Sequence, residues 1–211
     1  MEQALVRSER DVVTRRTLAV VLGAALVAAA AQISVPLPGT PVPMTLQPLA
    51  VLLVGGLLGA RLGAASMILY LAVGIAGLPV FTPTVPLLGL ARLFGPTGGY
   101  LLAYPVAAFV VGRLTDPGRQ PGETPHRAPA SVNPGLAPGV SEPHLLRVAL
   151  GVFAGLALIH LGGLAQLLIL SGDLASAARL GTLPFLLGDL GKMAVAVAVL
   201  TKLAPAVRAR L

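Results

Sequence analysis

The sequence predicts an all-α integral membrane protein with six transmembrane helices. Of its 211 residues, 55% are hydrophobic and only 11% are charged, and the mean hydropathy is +0.87. A soluble domain carries about 25% charged residues because water requires a polar surface. Lipid is therefore the predicted solvent for most of the surface, and we expect a single membrane domain over residues 1–211. The apolar stretches lie at about 17–35, 46–60, 62–78, 97–114, 147–170 and 184–203.

The basic residues predict the orientation of these spans. With six spans and a cytoplasmic N-terminus, the C-terminus is also cytoplasmic and twelve of the fifteen basic residues face the cytoplasm. Stretches two and three could instead form one helix from Gln47 to Leu78, which would move the group from Arg113 to Arg147 to the far side. The positive-inside bias favours six spans in the cytoplasmic membrane. Arg92 and Arg179 are left on the outside, and Lys192 lies within the last span.

The first span has a competing interpretation as a twin-arginine signal peptide. Arg15-Arg16 precede an apolar stretch that ends near small residues typical of a cleavage site. Five further apolar stretches leave nothing soluble to export, so we favour a membrane span. It contains two ladders of small residues, which allow close helix approach inside the fold or against a partner subunit. The ladder residues are Ala24, Ala25, Ala28 and Ala29.

The first outer loop, residues 34–47, contains four prolines and no charged residue. Prolines at this density favour an extended path with few free N–H groups. Such a strip could cover an apolar mouth as a lid or could be a plain connector. The absence of charge favours a lid. Gln47 opens the second span with an amide that can both donate and accept hydrogen bonds.

The turn before the fourth span is rich in glycine. Gly95-Pro96 and Gly98-Gly99 permit a tight turn and a close approach of backbone to a ligand or helix. Tyr100 follows directly and could contact a ligand or be an ordinary interface tyrosine. After this span, residues 115–143 are dense in Pro and Gly and predict a flexible cytoplasmic linker.

Asp189 and Lys192 are the unusual residues of the last span. They stand three positions apart and share one face of a helix. An isolated charge in the middle of a membrane costs about 2.5–3.5 kcal/mol on insertion scales, so the two should meet each other or a polar ligand inside the bundle. A structural ion pair is the alternative. We favour a ligand site because the pair lies in the outer half of the span.

Several function classes are excluded or disfavoured. The chain has no cysteine, and no nucleotide-binding or hydrolase motif is present. His126 and His144 lack partners at metal-ligand spacing, so neither a metal nor a cofactor is expected. The basic residues follow topology and do not indicate nucleic-acid binding. His160 and Gln166, isolated in the fifth span, are predicted to form hydrogen bonds with a neighbouring helix.

Four motifs in order resemble the BioY biotin transporters, the substrate-specific components of energy-coupling factor transporters. The resemblance covers about Ala19 to Leu203. It implies a six-helix fold whose outward pocket is built from spans four to six and capped by loops one and three. The motifs are Val42-Pro43-Met44-Thr45-Leu46-Gln47, Gly77-Leu78-Pro79-Val80-Phe81, Gly95-Pro96-Thr97-Gly98-Gly99-Tyr100 and Gly188-Asp189-Leu190-Gly191-Lys192.

The resemblance also implies roles for residues and partners. Asp189 and Lys192 would line the pocket, with Gln47 and Tyr100 near it. The third loop departs from the glycine-rich sequence of many family members, which leaves Thr82 or Thr84 as possible replacements for a polar residue there. The partners would be a transmembrane coupling (T) component, contacted through the alanine ladder of the first span, and two ABC ATPases that use ATP.

The function this resemblance implies is high-affinity capture and uptake of biotin. Asp189 can accept hydrogen bonds from the ureido N–H groups, while Lys192 can donate to the ureido carbonyl or attract the carboxylate. Apolar walls would supply the burial term. The alternatives are capture of thiamine or riboflavin, an intramembrane enzyme with Asp189 as a base, and a purely structural scaffold.

Overall fold

The computed structural model describes residues 2–116 and 142–211. Most of the predicted linker, residues 115–143, and with it His126, lies outside the described residues. Helices form almost all of the part that is described. In order, the helices and strands are α1 (Glu2–Gln32), β1 (Ser34–Val35), β2 (Met44–Thr45), α2 (Gln47–Leu58), α3 (Ala60–Ile75), α4 (Ala91–Phe94), α5 (Gly98–Leu114), α6 (Glu142–Ser171), α7 (Leu174–Gly181), a 3₁₀ turn (Leu183–Phe185) and α8 (Leu186–Arg208).

Three helical stretches are long and apolar enough to cross a membrane, namely Arg10–Gln32, His144–Ser171 and Leu174–Arg208. The shorter apolar helices α2, α3 and α5 coincide with the other three predicted spans. They have 12, 16 and 17 residues, fewer than the roughly 20 that a typical span needs. The helical membrane architecture therefore agrees with the sequence, while the count of six spans and the orientation of the termini stay predictions.

The chain reverses direction at Gly59, between α2 and α3. Its φ of 82° lies in the left-handed region that glycine adopts readily. Beyond the turn the two helices pack so closely that a Cβ atom on Gly63 would lie 2.8 Å from the Cα atom of Gly55. Stretches two and three are therefore separate helices, and a single helix from Gln47 to Leu78 is excluded.

Glycines also bring α5 and α6 together. A Cβ atom on either Gly99 or Gly162 would collide with the backbone carbonyl of the other, so only glycine permits this separation. The interior is filled by apolar side chains that are fully buried, such as Val27 and Met67. Large apolar side chains also cover the outside of the helices, which is the surface that lipid would contact.

The first outer loop is folded into a short hairpin. Its ends pair as antiparallel strands with Ser34 opposite Thr45. Near its tip, the hydroxyl of Thr40 donates to the carbonyl of Leu180 over 2.5 Å. The proline-rich loop is thus bent back and tied to α7, which differs from the single extended strip predicted from its prolines, because the two ends of the loop find each other as strand partners.

Two short helices in the outer loops have no counterpart among the predicted spans. Helix α7 begins at Asp173, whose carboxylate accepts a 2.7 Å hydrogen bond from the backbone N–H of Ser176. This hydrogen bond lowers the pKa of Asp173 and caps the helix. Helix α4 carries Arg92, which is 1% exposed, into the interior. Both helices therefore shape the outer end of the bundle.

Candidate functional site

Asp189 and Lys192 meet in the first turns of α8. The Lys192 ammonium donates to Asp189 Oδ1 over 2.9 Å, and the side chains of the two residues are only 8% and 5% exposed. The other carboxylate oxygen, Oδ2, lies 2.7 Å from Nε2 of His160 on α6. Both oxygens of one buried carboxylate are therefore held, each by a group that can donate a hydrogen bond.

The three side chains line a cavity at the end of the bundle that carries the first outer loop. The space between its walls measures about 560 Å³, including the part that opens to solvent. The polar triad stands at one wall, and apolar and aromatic side chains form most of the others. The walls come from five parts of the chain. These are the first outer loop and α2 (Val42, Pro43, Thr45, Gln47, Pro48), the loop between α3 and α4 together with α4 (Phe81, Thr82, Arg92), α5 and the residue before it (Thr97, Tyr100, Leu101, Tyr104), Ile159 of α6, and Phe185.

Gln47 faces the cavity from the start of α2 and is 4% exposed. Its amide nitrogen donates to the hydroxyl of Tyr70 over 2.6 Å, and its amide oxygen accepts from the hydroxyl of Thr45 over 3.3 Å. Tyr70 in turn donates to the carbonyl of Val80 over 3.3 Å. The amide is thus fixed in place by α3 and by the loop between α3 and α4. These contacts orient the amide towards the cavity.

Tyr100 lines the cavity and joins three helices. Its hydroxyl donates to the carbonyl of Gly181, at the end of α7, over 2.5 Å. Its ring lies against Gly163 of α6, where a Cβ atom would collide with the ring, and edge-on to the ring of His160 with centroids 6.3 Å apart. Because its hydroxyl is engaged by the backbone, Tyr100 presents its ring to the cavity.

Thr82 and Thr84, in the loop between α3 and α4, have different positions relative to the cavity. Thr82 is buried and lines the cavity. Thr84 is not among the lining residues, but its hydroxyl is 3.0 Å from that of Thr82. If this loop supplies a polar group to a ligand, Thr82 is placed to contact the ligand, and Thr84 is placed to orient the hydroxyl of Thr82.

Arg92 is a cavity residue that the sequence reasoning did not assign. It is 1% exposed, and its guanidinium donates to the carbonyls of Thr82 over 2.6 Å and of Val85 over 2.5 Å. Burial lowers the pKa of Arg92, but an arginine stays protonated at neutral pH. The lining contains two cations, Arg92 and Lys192, and one carboxylate, Asp189, so the cavity carries excess positive charge. The one sequence signal for Arg92 was that it is a basic residue outside the positive-inside pattern.

His160 was expected to form a hydrogen bond with a neighbouring helix, and it does so with Asp189. Its role in the cavity was not foreseen, because nothing in sequence relates position 160 to position 189. Within the described residues, three buried polar atoms of the lining find no hydrogen-bond partner: Nδ1 of His160, Oγ1 of Thr97 and Nε of Arg92. Buried polar atoms are normally paired, so these three atoms are exceptions within the lining.

The alanine ladders of α1 have two faces. Ala24 is buried and Ala28 packs against the core, so this pair serves internal packing. Ala25 and Ala29 are exposed. Of the four alanines predicted at a partner interface, the structure leaves only Ala25 and Ala29 accessible to another subunit, because a helix packed on a bundle presents neighbouring ladders to opposite sides.

Comparisons with known proteins agree on one family. A sequence profile of the BioY family matches residues 2–209. The biotin transporter BioY of Thermotoga maritima is 34% identical over 179 residues, which cover 85% of this chain and 89% of that protein. Probable biotin transporters BioY of Pyrococcus horikoshii and Lysinibacillus sphaericus are each 45% identical over 93 residues, and this match spans about half of their length, 55% and 45%.

The fold also has a solved relative. A crystal structure of the S-component for biotin from an ECF-type ABC transporter superposes with a TM-score of 0.69, covering 92% of both chains at 23% sequence identity. At that identity the likeness concerns the arrangement of the helices. It supports an S-component-like bundle as the architecture of this chain.

Proposed function

This chain belongs to the BioY family, and on that premise we propose that it binds biotin at the outer face of the cytoplasmic membrane as the substrate-binding subunit of an energy-coupling factor transporter. The observation that carries the proposal is the buried Asp189 carboxylate, held between His160 and Lys192 at the wall of an otherwise largely apolar cavity. The relatives that share the family are transporters, and we propose no enzymatic activity.

The chemistry of the cavity matches that of biotin. The ureido group has two N–H donors and one carbonyl acceptor, and a carboxylate such as Asp189 is the strongest acceptor a protein offers to such donors. The fused rings and the alkyl chain are apolar and suit the walls formed by Phe81, Tyr104 and Phe185. Burial of apolar area contributes about 25 cal/mol per Å², while the few polar groups set orientation and selectivity.

The excess positive charge suits an anionic ligand. Biotin carries a carboxylate at the end of its alkyl chain, and two cations, Lys192 and Arg92, face the cavity from different walls. One cation can therefore meet the ureido carbonyl while the other meets the carboxylate. The role of Lys192 between these two stays open in this proposal, and a ligand without the carboxylate can decide it.

Binding is an exchange of hydrogen bonds at Asp189. In the structure its two oxygens accept from His160 and Lys192. Ureido N–H groups can share or replace these donors without leaving the carboxylate unpaired at any stage. Because the carboxylate is already held in place, the ligand need not order it, which lowers the entropic cost of binding.

The first outer loop is proposed to close over the bound ligand. It contributes Val42 and Pro43 to the cavity wall, and its tip is held by the hydrogen bond from Thr40 to α7. The remaining topology follows the sequence proposals, with six spans and cytoplasmic termini. A T component would dock on the exposed Ala25 and Ala29 face, and two ABC ATPases would drive reorientation of the loaded subunit.

The direct test is calorimetric titration of the purified chain in lipid nanodiscs with biotin, thiamine and riboflavin. We expect biotin to bind well below micromolar concentration and the other two vitamins not to compete. Tighter binding of thiamine or riboflavin would overturn the choice of substrate. Micromolar or weaker binding of all three would overturn the proposed function.

A second titration locates the biotin carboxylate. Biotin and its carboxamide are compared on the wild type and on the variants Lys192→Met and Arg92→Met. The variant that no longer distinguishes the acid from the amide has lost the partner of the carboxylate. Equal discrimination in both variants and the wild type would show that neither cation meets it.

A further inference from the structure

A second cleft lies at the other end of the helix bundle. It forms where α2 ends, α3 begins, α5 ends and α8 ends, and the space between its walls measures about 760 Å³ including the part open to solvent. It is separate from the cavity at Asp189 and shares no lining residue with it. The lining residues are Arg16, Leu58, Gly59, Ala60, Arg61, Leu62, Asp116, Arg208 and Leu211.

Positive charge dominates this cleft. Its lining within the described residues holds three arginines, Arg16, Arg61 and Arg208, and one acidic residue, Asp116. Nη1 of Arg208 lies 3.7 Å from Asp116 Oδ1, and the Asp116 side chain is half exposed. Nε of Arg16 also donates to a main-chain oxygen of Leu211 over 3.2 Å, and the side chains of the lining carry two more positive charges than negative ones.

Arg208 is held in a position that leaves hydrogen-bonding capacity unused. Its Nη2 donates to the hydroxyl of Thr115 over 2.7 Å and to the carbonyl of Gly56. Its Nε and Nη1 are buried, and within the described residues neither has a hydrogen-bond acceptor. Buried donors without acceptors cost free energy, so the cleft favours a ligand that brings anionic oxygen atoms.

The cleft lies at the level of a lipid headgroup. Asp189 and Arg208 are nineteen residues apart on the same helix, which places them about 28 Å apart along its axis. The hydrocarbon core of a bilayer is about 30 Å thick. If the vitamin cavity is at one boundary of the bilayer, the arginine cleft is therefore at the other. Side chains of α1 and α3 that face away from the bundle above it, such as Leu22 and Ile68, are exposed and apolar.

We propose that this cleft binds the phosphate group of an anionic phospholipid from the cytoplasmic leaflet. The guanidinium groups match phosphate oxygens in geometry and charge, and basic pockets between membrane helices on this side are suited to anionic headgroups. Arg16 and Arg61, which are exposed, would close on the phosphate from α1 and α3, while Arg208 forms the floor. The bound lipid would tie α1, α3 and α8 together at the end opposite the vitamin cavity.

The test uses native mass spectrometry of the purified full-length chain, titrated with phosphatidylglycerol or phosphatidylcholine in a neutral detergent. We expect one phosphatidylglycerol to bind with preference over phosphatidylcholine. Each basic residue near anionic lipid contributes about a fivefold gain, so Arg16→Gln with Arg61→Gln should weaken this binding roughly 25-fold. The matched control replaces Arg113 and Lys202 by Gln, since both are exposed basic residues at the same end of the bundle outside the cleft.

The outcomes separate the cleft from general surface charge. Equal losses in the two double variants, or no preference for phosphatidylglycerol in the wild type, would overturn the proposal. Inorganic phosphate that binds as tightly as the lipid would overturn the assignment to a lipid. Biotin binding, which occurs at the opposite end, is measured on every variant and is expected to be unchanged, which shows that the variants are folded.

Discussion

Replacing Asp189 by Asn and Lys192 by Met, singly and together, separates a ligand site from a structural ion pair. The two side chains are 5% and 8% exposed, and removal of one partner from a buried pair costs about 3–5 kcal/mol because the other charge is left unpaired. Lys192→Met leaves Asp189 with the hydrogen bond from His160, so we expect a loss at the lower end of that range. The double variant contains neither charge, and its free energy of unfolding should lie within about 1 kcal/mol of the wild-type value.

Biotin binding should follow a different order. A hydrogen bond to a charged group contributes about 1.5–3 kcal/mol. Asparagine retains one acceptor oxygen but loses the charge and the second acceptor, so we expect a loss of about 2–4 kcal/mol, or roughly 30- to 700-fold in affinity. In the double variant stability returns but binding does not, because the ureido group has lost its charged acceptor.

The assay pairs thermal unfolding in detergent with calorimetric titration of biotin. Arg179→Gln is the control, since Arg179 is exposed at the outer end of the bundle and is not in the cavity lining. A double variant that is stable and binds biotin as tightly as the wild type would refute the reasoning. That result would mean that the pair of Asp189 and Lys192 serves stability alone, as expected of a purely structural membrane scaffold.

Substitutions at three further positions test the surroundings of this pair. His160→Gln can keep a donor at the position of Nε2 and should retain most biotin affinity, whereas His160→Met should lose about tenfold because Asp189 loses one of its donors; equal affinities in titration would exclude this role. Gly163→Ala places a Cβ atom in the ring of Tyr100, so we expect a lower unfolding temperature from a loss of about 1–3 kcal/mol, and an unchanged temperature would contradict it. Thr40→Val removes the hydrogen bond to α7 and should speed biotin dissociation severalfold in a stopped-flow chase, while unchanged rates would show that the loop is held by packing alone.

The sequence predicted the helices well because their signals are local. The predicted apolar stretches match α2, α3 and α5 to within three residues at each end and overlap α1, α6 and α8. The extended reach of α1 back to Glu2 and of α6 to Glu142 was missed, because the polar residues there interrupt the hydropathy pattern without interrupting helix formation. Helix α7 was missed for a related reason, since its eight residues are too few to produce a span-like signal.

The site was predicted only where its residues carry an anomaly along the chain. Asp189 and Lys192 stand out because charge in an apolar helix is costly. Gln47 and Tyr100 were named at motif positions, and the structure places both in the cavity lining. His160 and Thr97 could not be assigned, because their relevance arises from which helix they face. Arg92 was visible as a basic residue on the outer side, but only the folding of the third loop shows that it is buried.

The charged residues of the cavity bear on stability in lipid and on the proposed binding of a polar ligand. Both carboxylate oxygens of Asp189 accept hydrogen bonds, one from His160 and one from Lys192, so the buried carboxylate is paired within the protein. Three further polar atoms of the lining, on His160, Thr97 and Arg92, have no partner in the part of the chain that is described. A ligand that only displaces water from the apolar walls gains burial but leaves these atoms unpaired. A ligand whose polar groups reach Asp189 or Lys192 gains hydrogen bonds as well as burial, and selectivity for such a molecule would follow from that difference.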